Sequence, residues 1–81
     1  MTFALYTKAN CVQCDATKRA LEKKGLVEGV DYQAVHVDQD AAALEQLKEL
    51  GFLQAPVVIT ETDSWSGFRP DKIAALAPIA A

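Results

Sequence analysis

The sequence predicts an α/β domain, a four-stranded mixed sheet flanked by three helices, in the order strand, helix, strand, helix, strand, strand, helix. Three observations predict it. A short aromatic and β-branched run, Thr2-Phe3-Ala4-Leu5-Tyr6-Thr7, is followed by a stretch from Val12 to Lys24 that holds neither Gly nor Pro and repeats at helical spacing. A second run of strand character, Asp31 to Val37, precedes a second helical stretch that ends at Gly51. Two further strand-like runs, Ala55 to Thr60 and Ser64 to Ser66, lie so close together that a hairpin must join them. A helix between the first two strands implies a right-handed parallel crossover, the hairpin implies an antiparallel pair, and a sheet that satisfies both is mixed.

Each element carries its own signals. In the first helix Cys14, Thr17 and Leu21 recur at steps of three and four, with Ala16 and Ala20 beside them, so one face is ready for burial. Lys23 and Lys24 place cations at the negative end of the dipole, and Gly25 can take the left-handed conformation that ends a helix. In the second strand Val35 and Val37 share one face, Ala34 and His36 the other. Asp38 or Asp40 can cap the second helix, in which Leu44, Leu47 and Leu50 are expected to be core; the helix is too short for a zipper. Pro56 opens the third strand, where a missing amide donor is tolerated. Glu61-Thr62-Asp63-Ser64 supplies the hairpin connection and Gly67 ends the fourth strand. Pro70 suits a first helical position, with Asp71 at the positive end of the dipole, and Ile73, Leu76 and Ala80 form an apolar stripe that Pro78 interrupts.

Composition narrows the function. With 81 residues, 51% of them hydrophobic, the chain suits one compact domain over positions 1–81. Eight Lys and Arg against eleven Asp and Glu leave a formal charge of -3, so no basic footprint invites nucleic acid or an anionic membrane. The longest uncharged run lies between Glu49 and Glu61, far short of the roughly 20 residues that cross a bilayer. Lys8 and Asp15 leave no room for the apolar stretch of a secretory signal, and a cytoplasmic protein is expected.

Both cysteines fall in one tetrapeptide, Cys11-Val12-Gln13-Cys14. A disulfide across so few residues closes almost no loop: chain entropy gives roughly 2 kcal/mol for four residues against about 3 for fifteen. A bond that forms and breaks is favoured over a structural staple. The start of a helix supplies free amide hydrogens and a positive partial charge, the setting in which a thiolate is stabilised. Lowering a thiol from about 8.5 to about 7 needs roughly 2 kcal/mol, the upper end of what a helix terminus supplies, and Lys8 on the same loop can add to it. Cys11 is therefore expected to be the accessible, anionic nucleophile and Cys14, one turn in, the sheltered partner that closes the disulfide. The spacing also serves half a zinc site, but one His and no third Cys leave too few strong ligands for a monomeric one. His36, the single imidazole, has no link in sequence to the cysteines and reads as structural or solvated.

The chain resembles, over nearly its whole length, the NrdH-type glutaredoxin-like redoxins of the thioredoxin-fold superfamily. Three segments carry the resemblance: Tyr6-Thr7-Lys8 through Cys11-Val12-Gln13-Cys14 with Ala16-Thr17-Lys18-Arg19, then Ala55-Pro56-Val57-Val58, and Trp65-Ser66-Gly67-Phe68-Arg69-Pro70-Asp71. It implies a thioredoxin fold in which Pro56 is cis and faces the disulfide. It also implies reduction by NADPH-dependent thioredoxin reductase and delivery of electrons to class Ib ribonucleotide reductase, by a monomer with no bound cofactor beyond a reversible Cys11–Cys14 disulfide. The Gly-Gly pair and acidic residue through which ordinary glutaredoxins hold glutathione are absent from Ser66-Gly67-Phe68-Arg69-Pro70. The residues expected to contact partners are Lys8, Val12, Gln13, Ala55, Pro56, Trp65, Ser66, Gly67 and Phe68. Trp65 fits core and partner surface equally, while Phe68, beside a glycine, is expected exposed near the cysteines. Two other readings stand beside this one: a glutathione-dependent glutaredoxin, and a dimeric module holding an iron-sulfur cluster or metal through Cys11.

Overall fold

A computed structural model describes residues 2–76 of the chain. Its elements follow the expected order: β1 (Phe3–Thr7), α1 (Val12–Lys23), β2 (Tyr32–His36), α2 (Ala41–Glu49), β3 (Val57–Ile59), β4 (Ser64–Ser66) and α3 (Pro70–Ala74). The strands form one sheet in the spatial order β2-β1-β3-β4. β1 runs parallel to β2 and antiparallel to β3, and β3 runs antiparallel to β4. The mixed sheet expected from the connections is the one observed. The expected positions of Pro78 and Ala80 lie outside the described residues.

Register explains which residues meet. Leu5 pairs with Ala34 on one side and Val58 on the other, and Val58 pairs with Trp65, so one row of side chains crosses the whole sheet. That row belongs to a core shared with Leu21 of α1 and Ile73 of α3. The next row, Val35, Tyr6 and Val57, faces the opposite way, into a second core with Ala43 and Leu47 of α2. Side-chain alternation along β1 thus separates a face covered by α1 and α3 from a face covered by α2.

Strand ends are shorter than the sequence suggests, for identifiable reasons. Asp31 does not join β2; its buried carboxylate accepts a hydrogen bond from the Val27 amide at 2.7 Å and closes the turn ahead of the strand. Pro56, with no amide to give, stays outside the β3 ladder, and its bond to Ala55 is cis. Asp40, rather than Asp38, caps α2, its Oδ1 accepting from the Ala43 amide at 3.1 Å.

The leucine stripe of α2 requires correction. Leu47 is buried, but Leu44 and Leu50 are exposed. A step of three residues falls about 60° short of a full turn, so Leu44 and Leu50 splay to either side of Leu47. The helix presents to the sheet the narrower line of Ala43 and Leu47.

Candidate active site

β1 delivers the chain to the site and α1 carries it away. Between them Asn10 adopts φ 55, a left-handed conformation that Asn tolerates better than most residues, and this turns the chain from strand into helix. Cys11 follows in extended conformation as the N-cap of α1. Its Sγ accepts a hydrogen bond from the Cys14 amide at 3.2 Å, one of the donors that a helix start leaves unpaired. The expected position at the helix tip is therefore the observed one, with sulfur in the role usually taken by a Ser or Asp oxygen.

Cys11 and Cys14 form a disulfide, their Cα atoms 5.2 Å apart. The two sulfurs are unequally placed: Cys14 is 0% exposed and Cys11 retains 9%. Cys11 is thus less open than a bare helix tip suggests, because Cys14 bonds it from one side and the Ala55 carbonyl oxygen stands 3.9 Å away on another. What exposure remains opens into a cleft of about 370 Å³ lined by Lys8, Asn10, Cys11, Val12, Gln13, Gln54 and Ala55. Val12, 81% exposed, forms an apolar rim. Lys8 stands in the same cleft and makes no ion pair among the described residues.

Of the residues expected to contact partners, the fold gathers Lys8, Val12, Gln13 and Ala55 directly around Cys11. Pro56 is buried behind Ala55, and its carbonyl accepts a hydrogen bond from the Gly67 amide at 2.8 Å, which brings the end of β4 to the site. Gly67 takes φ 81, and Phe68 turns back so that its amide donates to Gln13 Oε1 at 3.2 Å. Phe68 is 39% exposed, as expected. Ser66 is exposed on the edge strand and does not line the cleft.

Trp65 is the correction. It is 5% exposed and lies in the core row with Leu5 and Val58, so its indole offers no face to a partner. A strand that reads Ser-Trp-Ser must point one class of side chain inward, and the register with Val58 selects the tryptophan. Asn10 and Gln54 line the cleft without having been singled out in the sequence. Asn before a helix cap is a recognisable left-handed signal; Gln54 carries none.

A disulfide held across the first turn of a helix, one sulfur at the cap and the other sealed beneath it, on a sheet of this topology, defines a thiol-disulfide oxidoreductase of thioredoxin-like fold. Residues 3–65 match the Glutaredoxin family model. The chain is 49% identical over 78 residues to the glutaredoxin-like protein NrdH of Escherichia coli (strain K12), spanning 96% of this chain and 91% of that one. It is 33% identical over 73 residues to the NrdH protein of Lactococcus lactis subsp. cremoris (strain MG1363), spanning 90% and 96%. The solved NrdH-redoxin from Escherichia coli superposes with a TM-score of 0.87 over 96% of this chain and 97% of that one. The thioredoxin-like protein BC3987, 24% identical, shares the fold with a TM-score of 0.77 over 90% and 96%. The chain belongs to the NrdH glutaredoxin-like redoxins, and its redox group is the Cys11–Cys14 disulfide.

No helix among the described residues is long and apolar enough to cross a membrane. No group of three or more His, Cys, Asp or Glu side chains placed to hold a metal ion occurs among them.

Proposed function

We propose that the protein carries two electrons from NADPH-dependent thioredoxin reductase to a disulfide of class Ib ribonucleotide reductase, as a cytoplasmic monomer. The observation that carries the chemical part is the unequal burial of the two sulfurs at one helix cap. In the reduced protein the Cys11 thiolate attacks one sulfur of the partner's disulfide; that bond breaks, and the partner's other sulfur leaves as a thiolate and takes a proton. Cys14 then loses its proton and attacks Cys11 Sγ, which releases the partner's second thiol. Two electrons have moved to the partner, whose two thiols take up one proton matching the one Cys14 gave up and one from solvent, and Cys11–Cys14 is again a disulfide. The Cys14 amide favours Cys11 as the anionic sulfur in the first step, where it attacks, and again when reduction of the pair regenerates its thiolate.

The choice of electron source rests on resemblance and on one local feature. The Escherichia coli NrdH-redoxin is described as having a thioredoxin-like activity profile. In this chain the segment where glutaredoxins hold glutathione reads Ser66-Gly67-Phe68, and the Phe68 amide is already bonded to Gln13. The test is a comparison of two electron sources with the purified protein: NADPH with thioredoxin reductase, against glutathione with its reductase. Fast reduction by the first supports the proposal; fast reduction by glutathione and none by thioredoxin reductase overturns it. Absorbance and metal content after anaerobic purification decide the cluster-holding alternative in the same preparation.

A further inference from the structure

We infer that Gln13 is a positioning residue for partner recognition: its side-chain oxygen ties the turn between the cysteines to Phe68 and sets where that ring stands relative to Cys11. The inference rests on the proposed reading that partners approach Cys11. Gln13 lies between the two cysteines in the cleft wall and has no titratable group, so what it can contribute is its amide. That amide reaches across the chain: Oε1 accepts from the Phe68 amide at 3.2 Å, joining segments 55 residues apart.

The receiving segment is shaped for this contact. Gly67 at φ 81 has the left-handed backbone that glycine adopts without strain, and a Cβ built there would stand 3.3 Å from Gln13 Oε1. The Gly67 amide is bonded to the Pro56 carbonyl at 2.8 Å. The cysteine turn, the proline loop and the Gly67-Phe68 turn are thereby joined by two hydrogen bonds, of which one belongs to a side chain. Phe68 is a member of neither core, and Val12 is 81% exposed on the rim of the Cys11 cleft. A partner's disulfide segment that enters this cleft meets Val12 and Gln13 directly, and Gln13 is the cleft residue bonded to the Phe68 backbone.

Two substitutions separate this role from simple support. Gln13→Met keeps the length and removes the acceptor; Gln13→Glu keeps an oxygen acceptor. Amide exchange followed by NMR on the oxidised protein reads the bond itself. The Phe68 amide should exchange about fivefold faster in Gln13→Met, the equilibrium weight of one ordinary hydrogen bond, and return toward wild type in Gln13→Glu. With insulin as the probe disulfide, KM should rise about fivefold in Gln13→Met while kcat moves less, and Gln13→Glu should restore KM. Unchanged Phe68 exchange in Gln13→Met overturns the inference, as does a variant in which kcat falls and KM does not. If NADPH with thioredoxin reductase does not reduce the wild-type protein and glutathione does, the proposed function fails, and Phe68 exchange still decides whether Gln13 holds the turn.

Discussion

The Cys14 amide points at Cys11 Sγ across 3.2 Å, so the residue that closes the disulfide also supplies the hydrogen bond that favours a negative charge on its partner. The two cysteines are therefore unequal in two ways, by this donor and by exposure. Cys14→Ser should trap a mixed disulfide with the partner, because the amide that assists attack remains and the sulfur that resolves the adduct is gone. Cys11→Ser should form no adduct. Mass spectrometry after mixing each variant with an oxidised partner checks the assignment, and an adduct on the Cys11→Ser protein would reverse it.

Lys8 shares the cleft with Cys11 and makes no ion pair among the described residues. It is exposed, and solvent screens it. Lys8→Ala should slow alkylation of Cys11 in the reduced protein at neutral pH, and less so in high salt. An alkylation rate that does not change at low salt removes Lys8 from the site's electrostatics.

Thr7 is fully buried at the end of β1, and its hydroxyl has no hydrogen-bond partner among the described residues. Its carbonyl accepts from the Val37 amide at 2.9 Å. A buried hydroxyl without a partner loses its hydration and gains nothing in return. Thr7→Val, which keeps the β-branched shape, should stabilise the protein by about 1 kcal/mol and raise Tm by roughly 4–8 °C. Thermal unfolding of both proteins measures this; a lower Tm would mean that the hydroxyl has a partner in solution.

Tyr32 is buried and stacks on Phe3, ring centroids 5.3 Å apart. Burial, and then the charges of Glu28 and Glu22, hold its hydroxyl above the ordinary value of 10.0. The folded protein therefore keeps a proton that the unfolded chain gives up. Stability is complete below pH 10 and falls as pH rises from there through the folded value, at up to about 1.4 kcal/mol per pH unit. Tyr32→Phe should be free of this alkaline loss. Urea unfolding at pH 8 and pH 11 compares the two; an equal loss in the variant would place the effect elsewhere.

Much of the site was legible in the sequence because it is local. A strand that stops, a left-handed turn, a cysteine at a helix start and a second cysteine one turn later follow from consecutive residues, and Asp40, Gly25 and Pro70 took their expected places at helix ends. The leucines of α2 were less legible, since spacing alone does not say which line of a helix meets the sheet; Ala43 with Leu47 made that contact, and Leu44 and Leu50 did not. Trp65 was ambiguous for a similar reason. In a strand as short as Ser64–Ser66 no alternation accumulates, and pairing with Val58 settled the matter.

By itself, then, the sequence determined the order of the elements, the mixed sheet and the redox pair, because hydrophobic spacing, turn chemistry and two nearby thiols act over a few residues. Only the tertiary structure decided that Cys11 keeps a small opening while Cys14 has none, that Trp65 belongs to the core, and that Gln13 reaches Phe68. Those outcomes depend on which surfaces of distant segments meet. The bond from Phe68 to Gln13 spans 55 positions of chain, and its partners are brought together by strand register and by the bend at Gly67.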